Sequence, residues 1–137
     1  MPTVEDFDIA ATVLDAAAQA AGTLADPPRA AMGTGVMVGG QLTDLVTGEL
    51  DAAATILAEV TAELTQLADT CRERAETGRQ VLGAQQEYDT AYADYRADLR
   101  QWQDGSDALA AGRTAADPGP LPDPPVPPAG APSWWDR

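Results

Sequence analysis

The sequence has no His and no Lys, one Cys and few aromatic residues. Without His there is no imidazole base, and one Cys with no His cannot build a Cys/His zinc site. A single Cys forms no intramolecular disulfide, so nothing in the chain requires an oxidising compartment. Basic residues number 8 against 22 acidic ones, giving a net charge of −14. A chain so acidic, without a basic cluster, repels phosphate backbones, and nucleic acid is not an expected partner. No apolar run approaches the ~20 residues that span a bilayer. The first residues, Met1-Pro-Thr-Val-Glu-Asp, are acidic where a secretory leader is basic, so no Sec-type signal peptide is expected. No catalytic set, metal-ligand pattern or phosphate-cradling glycine motif is visible; the chain is expected to be non-enzymatic and to need no cofactor.

Alanine is abundant and the apolar residues are strongly periodic. Residues 4–25 read as a first helix. Thr3 can cap it and Asp6 can complete a capping box, while Glu5 and Asp6 suit the positive end of the helix dipole. Phe7, Ala10, Leu14, Ala17, Ala21 and Leu24 recur at spacings of three and four, which predicts one narrow apolar stripe. Asp26-Pro27-Pro28 is read as the stop. Residues 29–40, with Gly33, Gly35, Gly39 and Gly40, are read as an apolar, glycine-rich loop folding over one end of a hairpin.

Residues 41–104 carry the strongest pattern. Two heptad series interleave: Val46, Ala53, Val60, Leu67, Arg74, Val81, Tyr88, Tyr95 and Trp102, and Leu50, Leu57, Leu64, Cys71, Gly78, Gln85, Tyr92 and Leu99. Only Arg74, Gly78 and Gln85 break the series, which predicts one long helix with a helix-packing seam. The misses cluster, so a kink or break is expected near 74–83. Cys71 reads as an inert thiol on the stripe, and the Tyr run reads as packing surface. A first helix of ~33 Å cannot cover a second of ~96 Å. The apolar surface between 65 and 104 must therefore fold back or meet another chain. Its partner can be helix one, a second copy or another protein.

Gly105-Ser-Asp is read as a stop, with one short turn within 107–113. Residues 118–132 contain eight prolines and are read as an extended, unpacked polyproline spacer. It ends in Trp134-Trp135, two aromatic residues suited to docking. The expected fold is all-α: a helical hairpin or small bundle over 1–112, with a long second helix, then a disordered Pro-rich tail over 113–137.

A short helix, a glycine-containing turn, a long acidic Ala-rich helix with aromatic residues near its end, and no leader together resemble the helical-hairpin proteins of type VII (ESX) secretion systems. The likeness is to the EspC-like branch and its WXG-type relatives, over about residues 4–104. It implies a substrate, co-substrate or targeting adaptor that pairs helix to helix with a second helical protein or an effector's N-terminal region. It further implies a cytoplasmic protein before export, then a secreted or cell-surface one, with the system's ATPase as a further partner. The alternative is an intracellular coiled-coil scaffold or oligomer with no export role. The implied partner seam is Val46, Leu50, Leu57, Val60, Leu64, Leu67, Val81, Tyr88, Tyr92, Tyr95, Leu99 and Trp102. Tyr88, Trp134 and Trp135 are the candidate export or docking residues. Two family marks differ here. The turn lacks Trp-x-Gly, and the residue four after Tyr88 is Tyr92 rather than the acid of a Tyr-x-x-x-Asp/Glu signal. A heterodimer in which only the partner carries the export address accommodates the second difference.

Overall fold

The computed structural model describes residues 2–33, 40–113 and 116–130. It is all-α, with no strand among the described residues: α1 is Val4–Thr23, α2 is Asp26–Gly33 and α3 is Gly40–Ala110. Two compact units result, one of Pro2–Glu76 and the other from Thr77 onward.

In the first unit, α1 opens on the expected capping box. Asp6 N–H donates to Thr3 Oγ1 at 3.2 Å, and Thr3 N–H donates to Asp6 Oδ2 at 2.7 Å. The bond from the Thr3 backbone, with a second from the Thr3 hydroxyl to Asp6 Oδ2 at 2.9 Å, holds the Asp6 carboxyl below its ordinary value. α1 runs antiparallel to the first half of α3. Arg29 meets Asp51 at 3.0 Å, Thr61 Oγ1 lies 3.5 Å from the Ala18 carbonyl, and Arg72 pairs with Asp15.

The core between these helices is made of small residues. Ala11, Ala18 and Ala21 of α1 are buried, as are Ala68 and Ala75 of α3, both with no exposed surface. With a single methyl per contact the backbones approach closely, and what stabilises the hairpin is contact density rather than bulk. Of the expected α1 stripe, Ala21 is buried and Phe7, Ala10 and Leu14 are half-buried, whereas Ala17 and Leu24 are exposed and Ala11 and Ala18 lie inside as well. Ala10-Ala11 and Ala17-Ala18 are identical neighbours, so apolarity alone cannot choose between them.

Pro27 and Pro28 do not end helical structure. They occupy the first turn of α2, where the missing N–H has no partner to lose. The expected loop thus shrinks, and residues 34–39 lie outside the described residues.

α3 is helical throughout its 71 residues, without a break at Gly78, Gly83 or Gly105. Each glycine costs about 1 kcal/mol of propensity, which the surrounding helix absorbs. Residues 84–104 therefore belong to the same helix. It ends at Gly112, whose φ of +66° suits a residue without Cβ. Arg113 N–H donates to the Ala108 carbonyl and Gly112 N–H to that of Leu109, both at 3.0 Å, forming a Schellman cap.

After the cap there is no helix among the described residues, yet the chain does not stand clear of α3 as an unpacked spacer would. Trp102 Nε1–H donates to the Gly119 carbonyl at 2.9 Å. Pro118 sits against Gly105, where an added Cβ would be 3.1 Å from its Cβ. The described part of the tail thus belongs to the same unit as the second half of α3.

Candidate partner-binding surfaces

In the first unit the predicted seam separates into two rows. Leu50, Leu57, Leu64 and Cys71 are half-buried, on the side of α3 that α1 covers. They interleave there with Ala54, Thr61, Ala68 and Ala75, of which Ala68 and Ala75 are fully buried. Sequence reading missed this small-residue row. Its signal was a seven-residue recurrence of Ala or Thr immediately after the Ala53, Val60, Leu67 and Arg74 series. Thr61 fits a tight helical contact because its hydroxyl donates back to the Leu57 carbonyl at 2.7 Å. Val46 is half-buried, whereas Val60 and Leu67 are 40% and 53% exposed.

The two flanks of the hairpin differ in chemistry. On one, the polar side chains Asp15, Gln19 and Thr23 of α1 face Thr61 and Thr65 of α3 across a shallow groove that Ala18 and Gly22 also line. Arg72 bonds to Asp15 and, at 2.7 Å, to Asp69 on the same helix. Residues one place before the contact row lie about 100° of helix rotation away from it, toward the opposite flank. In an antiparallel pair these residues from both helices reach the same side. That side bears Val13 and Leu24 of α1 with Ile56, Val60 and Leu67 of α3, exposed from 40% to 61%. Between Ala30 and Cys71 the chain has six acids and no basic residue, so this apolar flank sits in a negative field.

In the second unit, Val81, Tyr88, Tyr95, Leu99 and Trp102 are half-buried and Tyr92 is 43% exposed. The Tyr88 and Tyr92 rings stack with centroids 5.9 Å apart, and those of Tyr92 and Tyr95 lie 6.1 Å apart. Tail residues Ala116–Pro118, Pro120 and Pro122 close a groove with Asp98, Gln101, Trp102 and Gly105. Farther along the tail only Pro122, Pro125 and Pro128 are half-buried, a period of three. Asp117 shapes the entry by accepting the Gly119 N–H at 3.0 Å, with Gly119 at φ +75°. Trp134 and Trp135, the other candidate docking residues, lie outside the described residues.

Among the described residues no group of three or more His, Cys, Asp or Glu side chains could hold a metal ion, and no helix is long and apolar enough to cross a membrane. No protein-family model, curated protein or solved structure matches the chain.

Proposed function

We propose that this chain is a non-enzymatic helical partner protein of a type VII secretion system, acting as substrate, co-substrate or targeting adaptor. The observation that carries the pairing role is the exposed flank of Val13, Leu24, Ile56, Val60 and Leu67. It is an apolar surface contributed by two helices, of the kind that marks protein contacts. The secretion context comes from the resemblance in layout. The acidic surroundings favour a partner helix whose apolar stripe is bordered by Arg or Lys, and oppose close pairing of two copies that each carry −14.

The test separates pairing from export. Val60→Asp with Leu67→Asp adds charge only at exposed positions, so the melting midpoint stays near wild type while partner co-purification falls. Fractionation of cells with and without the secretion ATPase then reads export. Protein in the medium only when the ATPase is present supports the secretion role. Retention in both strains, with pairing intact, favours an intracellular coiled-coil scaffold, the reading that Tyr92 in place of an acid four residues after Tyr88 favours. Unchanged pairing in the double variant removes the flank from the account.

A further inference from the structure

Polyproline has a recognition problem of its own. Its carbonyls find no N–H within the segment, and its rings present ridges at every third residue. Proteins that hold such segments use aromatic rings carrying a donor, which satisfy carbonyls and fill the space between ridges. The second unit has these parts. Trp102 Nε1–H is bonded to the Gly119 carbonyl at 2.9 Å. Gly105 gives the room that Pro118 fills. Beyond the turn, the covered residues are Pro122, Pro125 and Pro128, while the larger apolar side chains Leu121 and Val126 are 56% and 87% exposed. Nonspecific collapse would turn Leu and Val inward. A period of three, with prolines inward, is the geometry of a polyproline helix laid along a surface. From Pro118 to Pro128 such a helix extends ~31 Å, the rise of about 21 residues of α-helix, enough to run back from Gly105 past Tyr88.

We propose that the stripe Tyr88, Tyr95, Leu99 and Trp102 of α3 is a polyproline-recognition surface. The chain's own residues 118–128 are its resident ligand, and the partner it fits is a basic, Pro-rich segment of another protein. The charge argument selects the basic partner. Asp89, Asp94, Asp98 and Asp104 outnumber Arg96 and Arg100 along this part of α3, while the resident segment contributes Asp117 and Asp123 and no Arg or Lys between 114 and 130. The resident ligand is thus held by shape against like charge, and an incoming segment with Arg or Lys keeps the shape and reverses the sign. Tethering by a short linker gives the resident an effective concentration in the millimolar range, which the incoming segment must overcome. This goes beyond the pairing role of the hairpin flank and does not depend on it.

The test uses the full chain with Trp134→Phe and Trp135→Phe, which leaves Trp102 as its only Trp. A fluorophore-labelled peptide with the 116–130 sequence, made basic by Asp123→Arg and by Val126→Arg at the 87% exposed position, serves as probe, read by anisotropy. In a full-chain variant with Pro122, Pro125 and Pro128 changed to Ser, the resident is weakened. Trp102 emission should shift to the red, and the peptide should bind at least tenfold more tightly than to the unchanged chain. Adding Gly105→Leu should reduce that binding at least tenfold, as should replacing the same three prolines of the peptide by Ala. The proposal is overturned if the proline-free peptide binds as well as the proline one. It is equally overturned if the weakened chain shows unchanged Trp102 emission or no peptide binding.

Discussion

The Trp102 indole and the Gly119 carbonyl, seventeen residues apart in sequence, are joined by a 2.9 Å hydrogen bond. Trp102→Phe keeps most of the ring and removes the donor. The expected loss is about 1 kcal/mol, the net worth of one such bond. Chemical denaturation reads it, and a midpoint equal to wild type would show that water replaces the indole without cost.

Two pairs of glycines should respond in opposite directions to alanine. Gly112 and Gly119 have φ of +66° and +75°, where a Cβ is strained, so Gly112→Ala or Gly119→Ala should cost about 1–2 kcal/mol. Gly48 and Gly83 lie inside α3 with nothing near a built Cβ. Gly83→Ala should raise stability by roughly 0.5–1 kcal/mol through helix propensity. Thermal melts of the two classes moving in the same direction would contradict this assignment.

Those glycines also show where the sequence misleads. Gly78, Gly83 and Gly105 were natural candidates for a break, and the helix crosses all three because neighbouring turns and packing outweigh a local cost. Pro27-Pro28 reads as a terminator, yet proline is equally a helix starter, and only the next few residues' backbone tells which. The Thr3–Asp6 box was legible because both side chains act within one turn. The tail's inward face was not legible: Pro120, Pro124 and Pro127 are the same residue type as Pro122, Pro125 and Pro128, so composition offers no contrast. Likewise the aliphatic pattern of α3 revealed a seam but not its rotation, because Ala68 and Ala75 outrank Val60 and Leu67 only when the partner helix is itself mostly Ala.

Ala68 and Ala75 leave no room for growth. Ala68→Leu or Ala75→Leu should destabilise the hairpin by about 1–3 kcal/mol through overpacking. Ala62→Leu, on an exposed face of the same helix, is the control and should change stability little. Circular dichroism melts compare them; equal midpoints for Ala68→Leu and Ala62→Leu would refute the close helix contact.

Asp6 supplies a pH dependence. Its folded-state carboxyl titrates below the ordinary value of 3.8, chiefly through the Thr3 backbone N–H. A depressed carboxyl contributes stability above the unfolded value and loses it as pH falls through the folded one. Asp6→Asn should therefore lower the midpoint at neutral pH, and the gap to wild type should close as pH falls from about 3.8 downward. A gap that stays constant across this range would assign the effect to something other than the charged cap.

The Schellman cap at Gly112 sets more than the length of α3. A helix releases its chain at an angle fixed by its final residue, and each added residue turns that exit by about 100°. One residue inserted between Gly105 and Gly112 would launch the tail toward a different face and leave Trp102 facing water, although every side chain needed for the contact would still be present. The seating of the prolines is thus a matter of phase, counted in residues from the aromatic stripe to the cap, and a deletion of one should unseat them as surely as an insertion.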